Sequence, residues 1–158
     1  MRRSAALASL SRDHHQALVV AQRLRRATDE TAGEACEAFH AYWNTHGRRH
    51  FSLEEEILLP GYAAYGDAHH PLVLAVLGDH VAIRQRADAL ASASPASLAQ
   101  LHDLGARLAS HVRLEERDLF PLIEQAMPAA RLTVLADALE RVESEFPDRC
   151  LRSRSRLR

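Results

Sequence analysis

Two copies of a histidine–glutamate motif stand out in the chain, one beginning at His50 and the other at His111. Both follow the pattern His-x-x-Leu-Glu-Glu-x-x-Leu-x-Pro, so six of eleven positions are identical. On an α-helix, a spacing of four residues corresponds to about 400° of rotation and ~6 Å of rise. His50 and Glu54 therefore share one helix face, as do His111 and Glu115. An imidazole and a carboxylate placed one turn apart can bind the same metal ion or two adjacent ions.

Two further histidines, His14 and His80, lie on the apolar stripes of two other predicted helices. Each follows an aspartate, Asp13 or Asp79, which is a candidate to orient a metal-bound imidazole. His14 precedes His50 by 36 residues and His80 precedes His111 by 31 residues. The chain therefore has the pattern of a helix pair used twice.

Together these residues predict six inward-pointing side chains from four helices: His14, His50, Glu54, His80, His111 and Glu115. Two bridging glutamates would each serve two metal ions, and two terminal histidines would complete the protein donors of each ion. Mixed imidazole and carboxylate donors suit iron or manganese, with zinc as a further alternative. Burying an unpaired carboxylate costs several kcal/mol, which metal coordination would offset. A hydrogen-bonded polar core without metal is the competing interpretation.

Some assignments stay open at this level. His15 is the alternative to His14, because adjacent helical residues are about 100° apart and only one can face the site. His46 lies one turn before His50 and is a further candidate ligand. Glu55 and Glu116 lie about 140° from the histidines of their own helices, which predicts a solvated face rather than the site.

The residues between the motifs predict an all-α chain, since alanine and leucine dominate and β-branched residues are sparse. Four long helices with short connections favour an antiparallel up-down-up-down bundle, followed by a short fifth helix. Proline, glycine and capping residues place these helices at about 4–27, from a Thr31–Glu34 capping box to Pro60-Gly61, from Pro71 to about 91, from Ser94-Pro95 to about 120, and from Met127-Pro128 to about 145.

Composition limits the remaining options. The 158 residues fit one domain, assigned to 1–146, with an arginine-rich tail at 147–158 that we expect to be disordered. No run of 18 apolar residues occurs, which predicts no membrane span, and the N-terminus lacks a signal core, which predicts a cytoplasmic protein. A net charge of −1 argues against nucleic-acid binding. Cys36 and Cys150 are too few for a disulfide scaffold.

The paired motif and the two stripe histidines resemble the hemerythrin-like, or HHE cation-binding, family over roughly residues 5–125. The resemblance implies an antiparallel four-helix bundle with a non-haem di-iron centre, holding two irons per chain joined by an oxo or hydroxo bridge. It implies terminal ligation by His14, His50, His80 and His111, and bridging by Glu54 and Glu115.

The oxygen-carrying hemerythrins have one more histidine on the third helix and end in His-x-x-x-x-Asp, which this chain does not have. Its four-His, two-Glu set is more similar to proteins that repair damaged iron centres. The leading functional hypothesis is a protein that binds or senses O₂, NO or a peroxide, or that handles iron. A di-iron oxidoreductase or iron donor and a metal-free structural bundle are the alternatives.

Overall fold

Five helices make up the computed structural model, which describes residues 7–93 and 95–154, with side chains up to Ser144. The second and fourth helices are continuous rods that contain π-helical turns. The five are α1 Ala8–Arg25; α2 Ala32–Tyr42, Trp43–Gly47 (π), Arg48–Leu53, Glu54–Leu58 (π) and Leu59–Ala63; α3 Pro71–Ser92; α4 Leu98–Leu114, Glu115–Leu119 (π) and Phe120–Ala126; and α5 Ala129–Arg154. The prediction of an all-α bundle with a C-terminal fifth helix is confirmed.

The contacts between neighbouring helices show that these helices run in opposite directions, as an antiparallel bundle requires. Between α3 and α4, His80 and His111 lie at one level, and the Arg86–Asp103 ion pair lies further along α3 but earlier on α4. Between α2 and α3, Glu55 contacts Arg84, whereas Arg48, earlier on α2, contacts Asp88, later on α3. The α1–α4 pair follows the same rule, since His14 meets Glu115 and Ala27 accepts a hydrogen bond from His102. These three pairs of adjacent helices are therefore antiparallel.

Both motif prolines lie inside their helices, contrary to the expectation that the helices end at these positions. Pro60 and Pro121 each follow a π-helical turn, one beginning at Glu54 and the other at Glu115. A proline in a regular helix loses one hydrogen bond and collides with the carbonyl four residues earlier. The wider π turn changes the hydrogen-bond register just before the ring, and the helices continue to Ala63 and Ala126.

Two helix starts differ in detail from the prediction. The capping box expected at Thr31 is wrong, because the Thr31 hydroxyl accepts a hydrogen bond from the Thr28 amide instead of capping α2. The sequence predicts the start of α4 at Ser94-Pro95, but in the structure Ser97 forms the cap and exchanges hydrogen bonds with Gln100. This reciprocal pair satisfies two amides at once, so it sets the start of the helix.

The C-terminal helix continues past its expected end near Glu145 to Arg154. Its side chains Leu132, Leu135 and Leu139 are buried in the apolar cluster that contains Leu58. The predicted arginine-rich tail at 147–158 falls on residues whose side chains are not described, and 155–158 lie wholly outside the described residues. Among the helices that the structure describes, none is long and apolar enough to cross a membrane.

Apolar packing surrounds a polar layer at mid-bundle. One cluster, which includes Phe39 and Leu104, fills the end of the bundle where α1 finishes, and a second, which includes Leu10 and Ile123, fills the opposite end. The buried polar side chains lie between these two clusters, apart from Ser9. The two apolar clusters hold the four helices in register at the level of the histidines.

Gly105 allows α1 and α4 to approach closely, and its replacement tests this packing. A β-carbon at Gly105 would lie 2.7 Å from the Ala21 carbonyl oxygen and 2.8 Å from the Leu24 β-carbon. We expect Gly105→Ala to destabilise the protein by about 1–3 kcal/mol in urea unfolding. Gly78→Ala is the matched control, since nothing lies within 4 Å of its added carbon, and a gain of up to about 1 kcal/mol is expected. Equal midpoints for the two variants would contradict this account.

Candidate metal centre

Four helices each place one histidine at the same level, and two of them add a glutamate. All six residues are at most 3% exposed. The contributions are His14 from α1, His50 and Glu54 from α2, His80 from α3, and His111 and Glu115 from α4. The structure therefore brings together the six residues that the sequence predicts, and both glutamates begin a π-helical turn.

The Glu54 carboxylate lies between two histidines from different helices. Its Oε1 is 3.2 Å from Nε2 of His50, and its Oε2 is 3.3 Å from Nε2 of His80. Because each oxygen faces a different imidazole, this carboxylate has the arrangement of a bridge between two ions.

The Glu115 carboxylate has a comparable position from the opposite side. Its Oε2 is 3.1 Å from Nε2 of His14 and 3.3 Å from Nε2 of His111, and its Oε1 is 3.8 Å from Nε2 of His80. Glu54 and Glu115 thus both contact histidines from the two halves of the internal repeat.

These donor atoms form two overlapping groups, within each of which all ligand atoms lie within 4.8 Å of one another. The groups are His14, His50, Glu54 and Glu115, here called position A, and Glu54, His80, His111 and Glu115, here called position B. In position A, Nε2 of His14 and Nε2 of His50 are 2.9 Å apart. Two donors bound at right angles to one ion, each at about 2.1 Å, would be roughly 3.0 Å apart. The spacing of these two donors therefore fits coordination of a single ion.

Several of the central atoms are buried and have no hydrogen-bond partner among the described residues. These are both carboxylate oxygens of Glu54 and of Glu115 and the Nε2 atoms of His80 and of His111. Burying a carboxylate that accepts no hydrogen bond is unfavourable, so a positive charge beside it is needed to compensate. All these atoms face the same small volume, which is the pattern that a bound cation would satisfy.

On its outer side, each imidazole faces a carboxylate from a neighbouring helix. Oε1 of Glu116 is 2.7 Å from Nδ1 of His14, and Oε1 of Glu55 is 2.7 Å from Nδ1 of His80. A carboxylate at Nδ1 selects the tautomer that leaves Nε2 free as a donor to metal. Glu55 and Glu116 therefore orient two of the candidate ligands.

This finding corrects the prediction that Glu55 and Glu116 belong to a solvated face. The prediction considered only the histidine of the same helix, from which each glutamate does point away. In the bundle, that direction leads to the adjacent helix, so Glu55 reaches His80 on α3 and Glu116 reaches His14 on α1. A sequence signal was present, because both glutamates occupy the same position of the repeated motif.

The two aspartates also face histidines across helices. Asp13 Oδ2 is 3.4 Å from Nδ1 of His50, and Asp79 Oδ2 is 3.8 Å from Nδ1 of His111. The second distance is that of an ion pair rather than of a hydrogen bond. The sequence singled out both aspartates, and the structure adds that each faces the histidine of the partner helix in its own helix pair.

The family model described as "Hemerythrin HHE cation binding domain" matches residues 5–123 of this chain. The chain belongs to the hemerythrin HHE cation-binding domain family. This span includes all six central residues and all four outer carboxylates. Comparison with curated proteins and with solved structures gives no match. Family membership and the buried histidine–glutamate group together indicate a metal-binding site.

The remaining candidate ligands of this HHE domain lie outside the group. His15 is exposed on α1, and His46 is exposed in the first π-helical turn of α2. Neither belongs to either of the two donor groups found in the described part of the chain. Because His14 lies in the buried layer and His15 does not, the structure favours His14 as the candidate ligand from α1.

Aromatic rings line the centre of the HHE domain, a feature that sequence reasoning did not assign. Phe51 stacks on His80 with centroids 3.8 Å apart and meets the His111 ring edge-on at 5.1 Å. Phe120 stacks on His14 at 5.4 Å. Both phenylalanines are fully buried, so they keep water away from the imidazoles.

Without metal, the histidines and glutamates at the centre hold one another in their charged forms. Burial opposes protonation of His80, but contacts with Glu115 and Glu54 outweigh it and raise its pKa to about 9. The pKa values of His14 and His50 are likewise raised despite burial, by neighbouring carboxylates. The pKa of Glu54 is lowered despite burial, because His50 and His80 face it.

These shifts predict how the stability of the metal-free HHE domain depends on pH. A histidine with a raised pKa contributes stability below its unfolded pKa of about 6.5 and loses that contribution as pH rises through the folded value. For His80 the loss runs from about 6.5 to about 9. We expect the melting temperature in excess chelator to fall across this window and to fall less steeply in His80→Gln. A melting temperature that rises or stays flat over this range would contradict the assignment.

Proposed function

We propose that this chain is a non-haem di-iron protein that binds or senses a small oxidising or diatomic ligand, namely O₂, NO or a peroxide. The observation that carries the proposal is the pair of overlapping donor groups that share the two buried carboxylates. Each group offers two imidazole nitrogens and two carboxylates, a donor set typical of iron or manganese. Four protein donors at each ion leave room for an exogenous ligand.

In this proposal the residues have distinct tasks. His14 and His50 would hold one ion, His80 and His111 would hold the other, and Glu54 and Glu115 would be shared between them. Two ferrous ions would supply electrons and open coordination positions for a small ligand. The protein supplies orientation, since carboxylates face the Nδ1 atoms of the histidines. It also supplies exclusion of water, since Phe51 and Phe120 cover the imidazoles.

Metal analysis of the purified chain tests the proposal. After anaerobic reconstitution with Fe(II), we expect inductively coupled plasma mass spectrometry to find two irons per chain. His50→Ala should lose iron, whereas His46→Ala, which removes an exposed histidine one turn earlier on the same helix, should keep it. No stoichiometric iron in the unmodified chain would overturn the proposal.

Ligand titration of the iron-loaded protein then separates binding from turnover. A reversible binder should cycle optically between the reduced form and the O₂ or NO complex. Rapid irreversible oxidation by O₂ with retained NO binding would favour sensing over carriage. An optical spectrum unchanged by O₂, NO and hydrogen peroxide would contradict the ligand-binding part of the proposal.

A further inference from the structure

The single tryptophan of the chain is joined to the candidate metal centre by one phenylalanine ring. Trp43, in the first π-helical turn of α2, meets the ring of Phe51 edge-on with centroids 5.4 Å apart. Phe51 in turn stacks on His80 with centroids 3.8 Å apart. The indole is therefore separated by one buried ring from a candidate ligand of position B.

The same tryptophan lines a surface groove between α2 and α3. This groove has a volume of about 260 Å³, and its other lining residues are Arg48, Ser52, Arg84 and Asp88. Two guanidinium groups in one groove favour a small anionic molecule. Trp43 itself is only 2% exposed, so a molecule in the groove would lie against an indole that solvent barely reaches.

The indole nitrogen of Trp43 is buried and has no hydrogen-bond partner among the described residues. A buried tryptophan usually donates this hydrogen bond. Since no acceptor is present for its proton, the indole can lose an electron without losing the proton at the same time. Indole is also oxidised far more readily than the benzene rings of Phe39 and Phe51, its aromatic neighbours. Trp43 is thus the oxidisable member of this group of rings.

One contact opposes oxidation of Trp43 and so restricts which oxidant can act on it. Cζ of Arg48 lies 5.7 Å from the centroid of the indole, and the same guanidinium pairs with Asp88 at 3.4 Å. A cation over an aromatic ring favours the neutral ring over its radical cation. Of the three ligands proposed above, hydrogen peroxide is the strongest oxidant and therefore the one suited to draw an electron from this indole.

We propose that Trp43 gives an electron to the iron centre, through Phe51 and His80, when peroxide arrives and only one ferrous ion remains; this inference rests on the proposed di-iron function. Reduction of one hydrogen peroxide to two water molecules consumes two electrons and two protons. The ferrous ion gives one electron and becomes ferric, Trp43 gives the other and becomes a radical cation, and solvent supplies the protons. An anionic ene-diol in the groove, such as ascorbate, then returns one electron to the indole. Trp43 thereby protects the histidine ligands from oxidation.

Peroxide treatment of the half-oxidised, iron-loaded chain tests this inference. The chain is loaded with Fe(II) under nitrogen, one ferrous ion of each pair is oxidised with ferricyanide, and hydrogen peroxide is added without a reductant. We expect a tryptophan radical in electron paramagnetic resonance. After air is admitted, the radical takes up oxygen, which peptide mass spectrometry should locate at Trp43. Ascorbate added before the peroxide should suppress both signals. The Zn(II)-loaded chain should show neither, because zinc has no redox chemistry.

Two phenylalanine variants separate the proposed route from a general loss of packing. Phe39 and Phe51 are both buried, and both rings contact the indole of Trp43. In the described part of the chain, only Phe51 also makes ring contacts with His80 and His111. At equal iron content, Phe51→Leu should lower oxidation at Trp43 several-fold, and Phe39→Leu should leave it close to that of the unmodified chain.

Trp43→Phe tests the protective role. Trp43 belongs to neither donor group, so this variant should bind iron as the unmodified chain does. The radical signal should be lost. With ascorbate present, repeated additions of peroxide should oxidise the peptides that contain His80 and His111 several-fold faster than in the unmodified chain. Equal rates of histidine oxidation in the two proteins would contradict the protective role.

The outcomes distinguish this inference from the proposed function. The inference is overturned, and the di-iron proposal stands, in three cases: oxidation at Trp43 is equal with iron and with zinc, maps to Tyr42 instead, or is unaffected by Phe51→Leu. An unmodified chain that binds no iron overturns the proposed function and this inference with it.

Discussion

Replacing Glu54 with glutamine is expected to abolish binding at both metal positions rather than at one. The Glu54 oxygens face His50 and His80, which belong to different positions, so one substitution removes a donor from each. Loss of a residue that merely orients a ligand typically costs about 10–100-fold in metal affinity. Loss of a shared, charged ligand should exceed that range at each position. Isothermal titration with Mn(II) under nitrogen, or iron content after reconstitution, measures the effect.

Glu56→Gln is the matched control for this prediction. Glu56 lies two residues further along the same π-helical turn and is exposed, so its loss removes the same charge from the same helix without touching the centre. Normal metal content is expected in Glu56→Gln. If Glu54→Gln retained one tightly bound ion, Glu54 would belong to a single position, and the bridging assignment would have to be abandoned.

The candidate ligands were predictable because their signal is local and repeated. Residues four apart on a helix share a face, as His50 and Glu54 do. The second copy of the motif, at His111 and Glu115, makes a chance occurrence of this spacing less plausible. The heptad-like stripe places His14 at the same depth as its apolar neighbours. The stripe thus favours His14 over His15, and the structure agrees, since His14 is buried and His15 is exposed.

The outer contacts were not predictable because they depend on how neighbouring helices face each other. Rotation measured on one helix shows that Glu116 points away from His111, but not that α1 lies in that direction with His14 at the right height. The π-helical turns are hidden for a similar reason. A π turn is defined by i→i+5 backbone hydrogen bonds, which the residue types of Glu54–Leu58 and Glu115–Leu119 do not reveal. Interhelical register, which tertiary packing sets, is thus the missing information.

Metal removal should have the second large effect, on the stability of the whole bundle. The donors come from four helices, so an ion bound in the folded chain has no equivalent site in the unfolded chain. At a free metal concentration of about 1,000 times Kd, each ion would stabilise the folded state by about 4 kcal/mol. For a domain of this size, 1 kcal/mol shifts the melting temperature by about 2–4 °C, so a rise of roughly 10 °C or more is expected on loading.

Differential scanning calorimetry of one preparation, divided between excess chelator and excess Zn(II) as a redox-inert probe, measures this stabilisation at pH 7. Glu54→Gln should show almost no difference between the two conditions, because it keeps the bundle but lacks the shared ligand. Glu56→Gln should show the full difference. The metal-free chain should still melt cooperatively, since its buried histidines and glutamates compensate one another's charges. Identical melting temperatures with chelator and with metal would mean that the buried layer is a polar core held by its own ion pairs, and the metal-binding account would fail.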